Sequence, residues 1–239
     1  MLGIIAEIAD GLHKTDDAKA FRAYVHSCTA SYQALRRTKK FSLDTDRQAD
    51  LVRPLYFDLL DQEQTQYARQ RLIQALEHYN WRVGTGFLST PLILYVLADI
   101  NIECAYRLLE NEEMPGWLFM PRSGASTIWE GWEGTSAQNG ISSLNHYSKG
   151  AVCQWVFDTM CGIRVDGENH FTIAPRPGGH FTHAGLSYDS VYGTVSCTWH
   201  RENDKTVYTV ALPANTTADL RLPDGTTETV GPGEMERVI

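Results

Sequence analysis

Residues 115–145 carry three tryptophans, Trp117, Trp129 and Trp132, and two glutamates, Glu130 and Glu133, among glycines and without helical or strand periodicity. An irregular stretch this long inside a compact domain is usually functional or disordered. Disordered segments are poor in aromatic residues, so an ordered loop is expected. Flat indole faces beside carboxylates are the equipment of a sugar site. An indole covers the apolar face of a pyranose, and a carboxylate serves as acid, base or nucleophile at the anomeric carbon. Each residue also has a plainer use. Glu130 could brace the loop, Glu133 could simply be solvated, and the tryptophans could anchor the loop to the core. Trp117, after Pro115 and Gly116, reads as packing, as do Trp81, Trp155 and Trp199.

Other chemistry finds little support. The five cysteines, Cys28, Cys104, Cys153, Cys161 and Cys197, form no CxxC pair, and free buried thiols in a reducing compartment are expected. His180 and His183 lie three apart beside a glycine-rich turn, too few for a metal. The turn Gly84-Thr85-Gly86 lacks the Gly-Lys-Ser/Thr of a phosphate loop. No metal and no cofactor is therefore expected. The formal net charge of −8 over 239 residues disfavours a nucleic-acid or anionic-membrane surface. Arg36, Arg37, Lys39 and Lys40 read as a solvated helix end. The first residues show no positively charged leader and no run reaches the ~18 apolar residues of a membrane helix. A cytoplasmic location is expected.

The elements that must position the loop read as helix for the first two-thirds and strand for the last third. Helical spacing recurs in Leu2, Ile5, Ile8, Ala9 and Leu12. A second helix opens at Thr15-Asp16-Asp17, an N-cap signal, and carries Phe21, Tyr24, Val25, Cys28, Tyr32 and Leu35 on one face. A third is expected over 46–60, kinked or broken at Pro54. A fourth follows over 62–80, an apolar fifth from Pro91 to Leu97, and a sixth over 100–110. After the loop, one helix over 144–160 is expected, with Val152, Trp155, Val156 and Phe157 inward and Gly162 as its C-cap. Period-two alternation then appears at 171–173, 187–192, 194–199 and 206–210, with turns at Gly193, Asn203-Asp204 and Pro223-Asp224-Gly225. The chain starts inside an apolar helix with nothing ahead to cover it, as though a domain were entered part-way through.

Four segments carry a family resemblance. Residues 124–132, Gly-Ala-Ser-Thr-Ile-Trp-Glu-Gly-Trp, look like a "GATTxWExW" segment. Residues 143–152, from Ser143 through Asn145, His146 and Tyr147 to Val152, resemble "SxNHYxxGAV". Residues 84–91 are similar to a "TGFLGTP" turn, and Ala174-Pro175-Arg176-Pro177-Gly178-Gly179 resembles the start of a C-terminal β-domain. In this order they resemble the inverting α-L-rhamnosidases, glycoside hydrolase family 78, over essentially the whole chain. The departures are Gly131 for a frequent arginine, Lys149 for a frequent aromatic and Ser126 for threonine.

The resemblance implies a partial (α/α)6 six-hairpin toroid followed by a small antiparallel β-sandwich, with residues 1–162 as the C-terminal part of the catalytic barrel and 163–239 as the β-domain. It implies Glu130 as the general base that deprotonates the attacking water, with His146, Trp129 and Trp132 binding the substrate. The family's general acid lies in an acidic upstream segment that this sequence does not contain. Inversion needs two carboxyl groups ~6.5–9.5 Å apart on opposite faces of the sugar. The chain alone is thus expected to hydrolyse terminal α-L-rhamnose weakly or not at all. Its expected partners are a rhamnose-containing glycoside and either a separate N-terminal half or a second copy. The competing expectations are a non-catalytic carbohydrate-binding or structural remnant, and a six-hairpin glycosidase for another sugar.

Overall fold

The computed structural model describes residues 2–138 and 140–239; Met1 and Asn139, the latter within the 115–145 stretch, lie outside them. The chain divides into two compact units, Met1–Leu92 and Ile93–Ile239.

The first unit is made of helices. α1 (Leu2–Gly11) packs on α2 (Thr15–Arg36), and α3 (Gln48–Tyr56) on α4 (Gln62–His78). Small residues at the α1/α2 seam, Ala6, Ala9 and Ala18, are buried and let the backbones approach. Thr15 is the first helical residue rather than the cap, which is Lys14. α4 opens with a reciprocal capping box, in which Asp61 accepts from the Gln64 N–H and Gln64 reaches back to the Asp61 N–H. α3 stops at Tyr56, short of the expected 60, with Pro54 inside its last turn. Of the basic cluster, Arg37, Lys39 and Lys40 are exposed, as expected of a solvated helix end, while Arg36 and Arg37 also make a joint. Arg36 donates to Asp50 O at 2.7 Å, and Arg37 pairs with Asp61 at 2.6 Å, tying the end of α2 to α3 and α4. The expected apolar face of α2 is largely uncovered, since Ala18 is its one buried residue among those described. On α1, Ile4, Ile8 and Leu12 are also exposed. The 84–91 turn is held from below by buried Gln48, which donates to Arg82 O and accepts from Gly84 N–H at 2.7 Å.

In the second unit α5 (Ile93–Ile100) and α6 (Ile102–Leu109) form a hairpin around Asn101, whose side chain caps α6. The long loop contains one short helix, α7 (Phe119–Arg122), and a single 3₁₀ turn. The helix expected over 144–160 is broken into α8 (Tyr147–Gly150), α9 (Val152–Trp155) and a π turn over Val156–Met160. Phe157, expected inward, faces solvent, while Val152, Trp155 and Met160 are buried. Gly162 ends the run at φ +85°, as a C-cap glycine should.

Eight strands follow: β1 (Ile163–Val165), β2 (His170–Ile173), β3 (His183–Ser190), β4 (Gly193–Glu202), β5 (Lys205–Leu212), β6 (Thr217–Arg221), β7 (Thr227–Val230) and β8 (Gly233–Val238). They form two four-stranded sheets, ordered β1-β2-β6-β7 and β3-β4-β5-β8. All pairs are antiparallel except β2 with β6, where His170 faces Thr217 in parallel register. Alternation buries Val195, Cys197 and Trp199 on β4, and Phe171 of the first sheet meets Tyr188 of the second edge-on. Val191 and Tyr192, expected in a strand, form the β3–β4 turn. The β-domain is pinned to the helices of its own unit. Tyr106 donates to Arg176 O at 2.6 Å, and Trp199 donates to Met160 O at 2.8 Å. Gly178 and Gly179 leave no room for a side chain beside Tyr106 and Glu110.

All five cysteines are free. Cys161 and Cys197 are buried, but Cys28 and Cys153 sit on exposed helix faces and Cys104 is half-buried, so burial holds for two of the five.

Candidate active site

The two loop motifs are zipped together by backbone. Glu130 N–H donates to Ser143 O at 2.8 Å, and His146 N–H donates to Ile128 O at 2.9 Å. Thr127 Oγ1 donates to Leu144 O across the same seam. The Glu130 and His146 segments, distant in sequence, thus run side by side, and both lie in the second unit.

Glu130 is exposed, and its Oε2 accepts from the Ser143 N–H at 3.1 Å. The carboxylate is therefore oriented by a backbone donor rather than by an arginine. Trp129 is buried. Its ring lies over Gly134 so closely that any side chain there would enter the indole, and Gly134 takes φ +53°. Trp129 thus supports the loop from beneath. Trp132 is half-buried, with the Lys149 ammonium 4.1 Å from its ring centroid and the edge of Trp117 at 6.1 Å. Trp117 is buried as expected, and its Nε1–H donates to Lys149 O at 3.1 Å.

His146 caps α8. Its Nδ1 accepts from Ser148 N–H at 3.3 Å, which in the neutral ring leaves the proton on Nε2. The Tyr147 ring stacks on it at 5.2 Å. The helix-start role expected for His146 is thus observed.

A cleft of about 520 Å³ opens beside this seam, walled by Met114, Phe119, Glu133, Ser136 and Ser142 among others. Glu133 lines this cleft, whereas Glu130, His146 and the tryptophans lie outside its wall. Lys149 faces both glutamates. Burial lowers its pKa, and the charges of Glu133 and Glu130 oppose that shift. Sequence reasoning missed Lys149 as a structural member of the site. Its one signal was a cation where an aromatic is frequent.

Among the described residues no group of three or more His, Cys, Asp or Glu could hold a metal ion. His180 instead pairs with Glu110 at 2.8 Å. No described helix is long and apolar enough to cross a membrane.

Residues 1–160 match the family model described as the bacterial alpha-L-rhamnosidase six-hairpin glycosidase domain, and residues 164–236 match the bacterial alpha-L-rhamnosidase C-terminal domain. An alpha-L-rhamnosidase of Formosa agariphila is 32% identical over 236 residues, which is 95% of this chain and 26% of that protein. One from Streptomyces avermitilis is 34% identical over 186 residues, 74% of this chain and 18% of its own. The crystal structure of the Aspergillus terreus enzyme superposes with a TM-score of 0.90 at 28% identity, covering 100% of this chain and 29% of that one. The Streptomyces avermitilis structure, complexed with L-rhamnose, gives 0.87 at 29% identity and covers 100% and 26%. The chain spans about a fifth to a quarter of the length of these curated relatives.

Proposed function

Because the chain belongs to the bacterial α-L-rhamnosidase six-hairpin glycosidase family, we propose that it supplies the general-base half of an inverting α-L-rhamnosidase site. Glu130 is the base. It takes the proton of a water that attacks the anomeric carbon from the face opposite the leaving aglycone. His146 binds the sugar, Trp132 forms a wall, and Trp129 holds the loop beneath that wall. The observation that supports this reading is the seam that binds the two motifs, with Glu130 joined to Ser143 and His146 to Ile128.

The general acid lies outside this chain, by the family pattern. Without it a glycosidase loses the acid's share of catalysis, ~10²–10⁴-fold. The partner is a set of further helical hairpins that cover α1 and α2, brought by a separate N-terminal half or replaced in part by a second copy. An open apolar groove of about 690 Å³ between Leu2, Ile4, Val25, Tyr32, Phe57 and Leu59 favours such a partner.

A second reading rests on one observation. Glu133, not Glu130, lines the cleft, so the chain could bind sugar there without breaking a bond. Assay of the purified chain on an aryl α-L-rhamnoside separates the readings. The proposal expects little turnover from the chain alone and turnover on pairing with its helical complement, lost in Glu130→Gln and kept in Glu133→Gln. Robust turnover by the chain alone of an alkyl α-L-rhamnoside, whose leaving group must be protonated, would reveal an acid within it. Activity that follows Glu133 would reassign the base.

A further inference from the structure

We propose that Lys149 is a positioning residue of the Glu130 site, whose ammonium ties the backbone of the base and the face of its indole wall to α8 as one unit. This rests on the reading of Glu130 and Trp132 above, and adds a residue that reading does not use.

Three contacts close the unit. Lys149 Nζ donates to Glu130 O. The same ammonium lies over the Trp132 ring, 4.1 Å from its centroid. The Lys149 carbonyl accepts the indole N–H of Trp117 at 3.1 Å, and Trp117 meets Trp132 edge-on at an interplanar angle of 81°. The side chain of Lys149 therefore holds both ends of the 130–132 stretch, and its backbone holds Trp117 against that stretch. The side chain is half-buried, which strengthens a cation over an aromatic face. Burial lowers the pKa of this ammonium, and the facing carboxylates of Glu133 and Glu130 oppose that shift only in part.

The arrangement has a consequence for recognition. One face of Trp132 is occupied by the ammonium, so a sugar has only the opposite face to stack on. An aromatic residue at position 149 could stack on Trp132 but could not donate to the Glu130 carbonyl. Lysine does both.

The test compares Lys149→Met, which keeps length but loses charge and donors, with Lys149→Arg, which keeps both. Thermal unfolding reports folding. The indole N–H resonance of Trp132, assigned with Trp132→Phe, and amide exchange at Gly131 to Glu133 report the tie. Free L-rhamnose is the probe of binding. Lys149→Met is expected to unfold close to the wild type, move the Trp132 resonance, and raise exchange and the rhamnose Kd by about tenfold each, whereas Lys149→Arg restores all three. An unmoved Trp132 resonance with unchanged exchange in Lys149→Met overturns the proposal, as does failure of arginine to restore them. Should Lys149→Met not fold, alkaline titration of the wild type decides. The Trp132 resonance should shift as the ammonium, whose pKa burial lowers from the ordinary 10.5, loses its proton; Glu130, Glu133 and His146 are the neighbouring ionisable groups, and no shift overturns the tie. If L-rhamnose leaves the wild-type spectrum unchanged, the sugar reading fails, and the first two readouts still decide the role of Lys149.

Discussion

Glu130 and Ser143 are joined twice: the Glu130 N–H donates to the Ser143 carbonyl at 2.8 Å, and the Ser143 N–H returns to Glu130 Oε2 at 3.1 Å. Two sequence segments thirteen residues apart thereby become one seam, which also carries the His146 N–H to Ile128 O bond. The carboxylate is exposed and carries no arginine partner among the described residues, so it is open to a water molecule.

Gly134 carries the first prediction. Its positive φ and its contact with the Trp129 ring leave no space for a methyl group. Gly134→Ala should destabilise the second unit by about 1–3 kcal/mol through overpacking. Trp129 should become more solvent-exposed in fluorescence. A Gly134→Ala variant with unchanged denaturant midpoint and emission would contradict this packing.

Much of this arrangement is legible in the sequence, for identifiable reasons. The Trp-Glu-Gly-Trp segment and the Asn-His-Tyr segment stand out because aromatic residues next to carboxylates are rare in loops. The helices with a clear face and a cap, such as α4 behind Asp61, need no tertiary information. What sequence conceals is long-range. The parallel pairing of β2 with β6 joins strands over forty residues apart. Phe157, by contrast, is exposed for a local reason: it sits five residues after Val152, off the helix face that Val152, Trp155 and Met160 bury. Lys149 shows in the sequence only as a cation where an aromatic is frequent, and its place over Trp132 is set by folding. The exposure of Cys28 follows from an α2 face that no described helix covers.

The buried thiols set the alkaline limit. Burial pushes Cys161 up to about 11 and Cys197 up to about 12 from an ordinary 9.0, and Tyr208 up to about 12 from 10.0. These groups keep their protons longer in the folded chain than in the unfolded one. Their contribution to stability is complete below pH 9, and it is lost as pH rises through the folded values. Urea unfolding should therefore show a stability that falls between pH 9 and 12, with a shallower fall in Cys197→Ala. A stability that rises over that range would contradict the burial of these groups.

Exposed Ile4, Ile8 and Leu12 on α1 make an apolar stripe beside the groove on α2. Surfaces of this kind mark interfaces. Sedimentation should show concentration-dependent association of the chain alone. Ile4→Lys with Ile8→Lys should shift it towards monomer without loss of helix. A monomer at every concentration would count against a partner on this face.

The central claim, that Glu130 acts as a general base, is tested most directly with a substrate that needs no general acid. A dinitrophenyl α-L-rhamnoside has a leaving group acidic enough to depart unprotonated, so the base alone should suffice. The account predicts slow but saturable hydrolysis by the purified chain, reduced about 10²-fold in Glu130→Gln and unchanged in Glu133→Gln, with no turnover of an alkyl rhamnoside. Hydrolysis that is absent, or that proceeds equally with and without the Glu130 carboxylate, contradicts it.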